Sequence, residues 1–322
     1  MKILILGGHG FIGHNLSRML LDQGHEVHVV DCHHDYSEYP QWEFDTVMKQ
    51  RVDYIGDHAI WFGDVTDKDF MHRVFLEVQP ERVVDLATYP NARMVKKNVV
   101  DATVNMVAAT ALALELCVQF KVDRFVLASS SMVYGDFGKF DGQPNEQSEC
   151  DPLTLYGSYK LQAERMCKIW HKEYGLNYTI LRPSALYGPR DMVVRVISKM
   201  TVDAMIDHVI TVNGPDNRLD FSFVTDVAAA FAAATLHPDA ANEIFNCTRG
   251  NGRTIGEAAE IIQRRILCRV EYAPADSFYP NRDTLDSSKL TAVTGWRPSV
   301  DIEQGIEEYL DWFLKQPYLL RF

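Results

Sequence analysis

The chain reads as an α/β protein, a doubly wound parallel sheet followed by a smaller C-terminal α/β region. Three observations predict this. Short apolar runs alternate with helical patterns up to about residue 185. The first run ends in a glycine-rich turn, "GGHGFIG", that opens a helix. Beyond residue 185 the rhythm loosens into smaller elements, with no repeat and no low-complexity linker. The runs "KILIL", "EVHVV", "AIWF", "RVVDLA", "RFVLA" and "NYTILRP" predict buried strands. Between them, "IGHNLSRMLLDQG" and "NVVDATVNMVAATALALELCVQF" predict helices. Such alternation implies right-handed βαβ units and a parallel sheet. The expected division is 1–185 and 186–322, with the two parts interleaved across a tight interface.

Composition narrows the class. With 322 residues and 47% of them hydrophobic, the chain can bury a sizeable core. A formal net charge of -12 argues against a nucleic-acid partner, which calls for a basic face. The six cysteines, Cys32, Cys117, Cys150, Cys167, Cys247 and Cys268, form no C-x-x-C pair. They predict neither a disulfide framework nor a metal site, and read as reduced thiols of a cytoplasmic protein. The N-terminal apolar run is too short for a signal peptide. No stretch is read as approaching 18 apolar residues, so neither a transmembrane helix nor a membrane partner is expected.

Gly7, Gly10 and Gly13 form G-x-x-G-x-x-G between a strand and a helix. Glycines let the backbone turn sharply and approach a pyrophosphate, whose charge then sits on the helix N-terminus. Asp31 ends the next strand, where a carboxylate can bind the adenosine ribose of a dinucleotide. The fold expected is therefore of the Rossmann type. An acid at that place favours NAD, because it repels the 2′-phosphate of NADP. The neighbouring "DCHHD" looks like a metal cluster on paper. Adjacent His33 and His34 rarely point at one ion, so the segment is read as a solvated loop.

"YGSYK" sets Tyr156 and Lys160 four residues apart on a predicted helix, on one face. A free tyrosine titrates near pH 10. Lowering it by about three units needs roughly 4 kcal/mol. One ammonium about 5 Å away, at an effective dielectric near 20, supplies about 3 kcal/mol. A bound nicotinamide cation supplies the remainder, so the pair suits removal of a proton from a sugar hydroxyl. Upstream, "LASSSMVYG" brings three serines to the end of a strand.

Taken in order, "GGHGFIG", "GDV" (63–65), "SSSMVYG", "YGSYK", "LRPSALYGP", "DFSFVTDV" and "DSSK…GWRP…EQGI" resemble the extended short-chain dehydrogenase/reductases. Within that family the likeness is to the NAD-dependent nucleotide-sugar epimerases and dehydratases, over nearly the whole chain. The resemblance implies NAD as cofactor and a nucleotide-diphosphate sugar as partner. It implies that Asp31 holds the adenosine ribose and that Asp64 and Val65 hold the adenine. Phe11, Ile12, Leu86, Ala87 and Pro183 would line the cofactor. Tyr156 and Lys160 would stand at the nicotinamide end, and Asn105 near the active site. Aligned on "VYG", the active hydroxyl is Ser130, with Ser131 as a further substrate contact. In this family the helices matching 99–120 and 156–174 pair across a two-fold axis. The first is apolar around much of its circumference, so a homodimer is expected.

The departures are informative. Met132 stands where 4,6-dehydratases and UDP-glucuronate decarboxylases carry a glutamate. A thioether cannot take a proton, so elimination loses its base. Leu219 replaces the family's phosphate-binding arginine, leaving Arg218 one place early, while Arg282 matches a second phosphate contact. Ser184 replaces an asparagine, and Arg182 reads as structural. The expected activity is a nucleotide-sugar 4-epimerase working through a 4-keto sugar. A 4-dehydrogenase or 4-keto reductase would use the same residues, and a non-catalytic NAD sensor would be expected to lack Tyr156 or Lys160.

Overall fold

The computed structural model describes residues 1–35, 40–192, 195–276, 278 and 280–316. Its first strands follow the apolar runs: β1 (Lys2–Leu6), β2 (Glu26–Asp31), β3 (Ala59–Phe62), β4 (Arg82–Asp85), β5 (Arg124–Ala128) and β6 (Asn177–Arg182). Shorter strands follow: β7 (Ala185–Tyr187), β8 (Val209–Asn213), β9 (Arg218–Leu219), β10 (Phe221–Phe223), β11 (Glu243–Asn246), β12 (Arg253–Thr254) and β13 (Arg269–Ala273). The helices in the first half are α1 (Gly13–Asp22), α2 (Gln41–Ile55), α3 (Lys68–Val78), α4 (Ala92–Lys97), α5 (Val99–Thr103) and α6 (Ala109–Gln119). The rest are α7 (Leu155–Tyr174), α8 (Val196–Ile206), α9 (Val224–Leu236), α10 (Ile255–Arg265), α11 (Ser288–Thr294) and α12 (Ile302–Phe313).

Seven strands form one parallel sheet in the order β11-β6-β5-β4-β1-β2-β3. Strand residues alternate in direction, and the packing shows it. Leu4 and Leu6 face α3, α6 and α7, meeting Phe75, Leu114 and Cys167. Ile3 and Ile5 face the other way, onto Leu16 and Leu20 of α1 and Phe231 of α9. The sheet is thus buried on both faces, which is why its strands read as unbroken apolar runs. β11 and α9, both beyond residue 186, belong to this layer, while β8, β10, α8, α10 and α12 enclose a separate core around Tyr187, Phe221 and Tyr309. Strand order reverses between β1 and β4, and in such sheets a crevice opens there at the strands' carboxyl ends.

Two sequence expectations are corrected here. Residues 99–119 form one apolar helical stretch of 21 residues, long and apolar enough by composition to cross a bilayer. In the fold it lies against the sheet, with Ala109, Ala113, Leu114, Leu116 and Cys117 buried. Nor is it α-helical throughout, because Val104–Ala108 forms a π turn between α5 and α6.

Candidate active site

The crevice is built from the glycine turn outward. Gly7 has φ 75°, and a Cβ there would sit 2.9 Å from the Ala87 nitrogen. A Cβ on Gly13 would fall 2.4 Å from the Gly7 oxygen, so α1 can begin this close to β1 only without side chains. Asp31, at the end of β2, is held by two backbone donors, His9 N at 3.0 Å and His33 N at 2.9 Å. Asp64 accepts from the backbone and hydroxyl of Thr66, both at 2.8 Å. Gly7, Gly10, Phe11, Ile12, Gly13, Asp31, Asp64, Val65, Leu86, Ala87 and Pro183 all line one cleft. So do Ser130, Tyr156, Lys160 and Asn105. The buried Oδ1 of Asn105 and Oγ1 of Thr88 have no partner and lie at this cleft, as donors and acceptors awaiting a polar ligand do. Glycine cradle, ribose carboxylate and orphan polar atoms together fit a dinucleotide.

Chemistry-bearing groups meet at the other end. Thr154 caps α7 by accepting from Gly157 N at 3.1 Å, which sets Tyr156 in the first turn and Lys160 one turn on. Lys160 is buried and donates to the Ala128 carbonyl at 2.7 Å. Ser130 follows β5 in extended conformation; its hydroxyl accepts from Met132 N at 3.2 Å and lies close enough to Tyr156 to act on its phenol. The three serines diverge. Ser129 Oγ donates to Glu164 at 2.5 Å, inside a buried network where Arg182 grips Glu164 at 2.8 and 2.6 Å and Tyr134 at 2.8 Å.

Ser131 is a correction. It is fully buried, its hydroxyl donates to Ser184 at 3.2 Å, and it does not line the cleft, so its side chain offers no substrate contact there. Met132 is likewise buried away from the cleft. Among the described residues, the carboxylates lining the cleft are Asp31 and Asp64, neither of which is at the Tyr156 end.

The electrostatics differ from the simple Tyr–Lys expectation. Burial pushes the Tyr156 phenol up, against the Ser130 hydrogen bond and the charges of Arg195 and Arg282. Burial pulls Lys160 down to about 8, opposed by Asp85 and Glu164. Asp85, buried below the cleft at the end of β4, is pushed up to about 6 by the same desolvation.

Arg282 therefore projects charge onto the active site. Arg218 does not reach the cleft. It is exposed and paired with Asp283 at 3.1 Å, while Leu219 packs in the C-terminal core. Sequence reading missed Arg51 and Arg195, both in the cleft wall. Arg195 pairs with buried Asp191 and lies 5.1 Å over the Phe11 ring. Arg51 is buried and grips the Arg190 carbonyl at 3.1 and 2.6 Å and the His9 carbonyl at 3.3 Å. No motif marks either residue. Their partners lie in distant segments. The "DCHHD" loop also departs from expectation, since His33 is half-buried and hydrogen-bonded to His9 rather than solvated.

Residues 3–248 match the family described as NAD dependent epimerase/dehydratase. The chain belongs to this family. NAD is its cofactor, and the family's members act on nucleotide sugars. A Methanocaldococcus jannaschii protein provisionally named a UDP-glucose 4-epimerase is 30% identical, covering 96% of this chain and 97% of its own. The structure of a UDP-glucose 4-epimerase from Thermotoga maritima with UDP-glucose superposes with a TM-score of 0.86 at 25% identity, covering 98% of this chain and 99% of that one. A Thermus thermophilus UDP-glucose 4-epimerase in complex with NAD gives 0.85 at 25% identity, with the same coverage.

Proposed function

We propose that this family member is a nucleotide-diphosphate-sugar 4-epimerase. One observation carries the reading. The Ser130–Tyr156–Lys160 end of the cleft holds a complete proton-transfer group and no carboxylate. A sugar carbinol can be deprotonated there, whereas dehydration needs a second base at the neighbouring carbon. Ser130 orients the C4 hydroxyl and Tyr156 takes its proton. Lys160, held by the Ala128 carbonyl, supports the phenolate. NAD⁺ held in this cleft would supply the acceptor for the C4 hydride and a positive charge that favours the phenolate. The 4-keto sugar turns over in the cleft, the hydride would return to the opposite face of C4, and Tyr156 gives its proton back to the C4 oxygen. Arg282 lies at the same end and suits the substrate's diphosphate.

The test is incubation with UDP-glucose and other nucleotide sugars, followed by proton NMR and absorbance at the NADH band. The expected result is the C4 epimer with no net NADH. Stoichiometric NADH with release of a keto sugar would make the enzyme a dehydrogenase instead. A 4-keto-6-deoxy product would overturn the argument from Met132 and the empty base position.

A further inference from the structure

Three histidines at the ribose end form a chain that the cofactor reading leaves without a role. His9, in the glycine turn, is fully buried. Its Nδ1 lies 2.7 Å from Nε2 of His33, and its Nε2 lies 2.9 Å from Nε2 of His58. His58 Nδ1 lies 2.7 Å from the Gly56 carbonyl. These contacts dictate the tautomers. A carbonyl only accepts, so His58 carries its proton on Nδ1, and its Nε2 accepts from His9 Nε2. His9 Nδ1 must then accept from His33 Nε2, which leaves a lone pair on His33 Nδ1. That nitrogen has no hydrogen-bond partner among the described residues.

Such a chain holds one extra proton and no more. A proton added at His33 Nδ1 keeps every bond. A second would have to enter between two facing nitrogens and break one. Burial, with His33, His58 and Arg51 nearby, holds His9 down at about 3 and keeps it neutral. The backbone nitrogens of His9 and His33 are the two donors to Asp31, so the chain and the ribose carboxylate are one unit. The charged and titratable groups that share this end of the cleft with His33 are Asp31 on β2, Cys32 and His34 beside it in the loop, Asp64 beyond β3 and Arg51 from α2, with His58 reaching His9 from before β3. The Phe62 ring stands edge-on to His33, with centroids 5.2 Å apart.

We propose that this histidine chain is a 2′-phosphate subsite that opens on uptake of one proton. The neutral chain beside Asp31 selects the ribose 2′-hydroxyl of NAD, and the singly protonated chain admits the 2′-phosphate of NADP. The charge balance is direct, since the imidazolium at His33 cancels the carboxylate at Asp31. This rests on the assignment of Asp31 to the adenosine ribose. One unit charge about 6 Å from a phosphate, at an effective dielectric near 40, changes affinity roughly tenfold.

The experiment measures dissociation constants of NAD and NADP by calorimetry at pH 8 and pH 5.5. The wild-type protein and His33→Gln are compared, each as its own NADP-to-NAD ratio. The 2′-phosphate itself titrates near pH 6, in both proteins alike, and cancels in the comparison. In wild type the ratio should fall roughly tenfold further than in the variant. An equal fall in the two proteins overturns the proposal. Long-range ¹⁵N spectra of the wild-type histidines decide independently, even if the variant does not fold. His9 should keep one proton, on Nε2, at both pH values while His33 becomes an imidazolium. A doubly protonated His9 with the chain broken overturns it. If NAD binds at neither pH, the cofactor assignment fails; if NAD binds and the ratio behaves alike in both proteins, only this inference fails.

Discussion

At the scale of single residues, Asp85 and Lys160 govern the site's response to pH. Glu164 is already matched by Arg182, so Asp85 is the carboxylate whose charge is left for Lys160. Asp85 is ionised above about 6 and Lys160 is protonated below about 8, so the pair is fully charged only between. Turnover should decline on both sides of that window. Asp85→Asn removes the charge that holds the Lys160 proton, so the alkaline limb of kcat should move to lower pH. An unmoved limb would remove Asp85 from this positioning role. The sign for stability is opposite to that of an ordinary paired aspartate. Asp85 binds its proton more tightly folded than unfolded, so its contribution falls as pH rises from 3.8 to about 6. Thermal melts of Asp85→Asn should lose that decline. Tyr156→Phe tests the base itself. It should fold and lose turnover by at least about 10²-fold, and turnover near wild type would refute the assignment.

At the scale of elements, what was legible depended on sequence distance. β1 to β6 were readable because their runs are short, apolar and punctuated, and the glycine turn because Gly7, Gly10 and Gly13 lie within one local motif. A substitution there has a local outcome too. In Gly13→Ala the new methyl meets backbone rather than a yielding side chain. Overpacking of this kind costs about 1–3 kcal/mol, so NAD affinity should drop ~10-fold or more. Calorimetry showing unchanged affinity would refute the close-approach reading of the turn. What was not legible joins distant segments. His9 meets His33 across 24 positions and His58 across 49. Arg51 meets Arg190 across 139. No periodicity encodes such pairs. The π turn at Val104–Ala108 was also silent, since its residues continue the helical pattern. It sits where Asn105 enters the cleft, a common place for an irregular turn.

At the scale of the molecule, the face opposite the sheet on α5, α6 and α7 is left apolar. Val100 is 75% exposed, Val104 45%, Ile169 45% and Tyr174 59%. Between them runs a groove lined by Ala108, Ala111, Leu112, Val118 and Trp170. An amphipathic helix on a sheet needs one apolar stripe, and this stretch already spends one on Phe75 and Leu127. Two residues of opposite charge, Lys68 and Glu115, also line the groove. Small residues at Ala108 and Ala111 allow close approach of another helix. We propose that a second copy of the chain covers this face through a two-fold contact, in which the same patch meets itself. Light scattering at micromolar concentration should give twice the 36.7 kDa chain mass. Ala111→Arg places a charge in the groove and should return the protein to a monomer with NAD binding retained, since the cleft lies on a separate set of residues. A wild-type monomer, or a dimer indifferent to Ala111→Arg, would move the interface elsewhere.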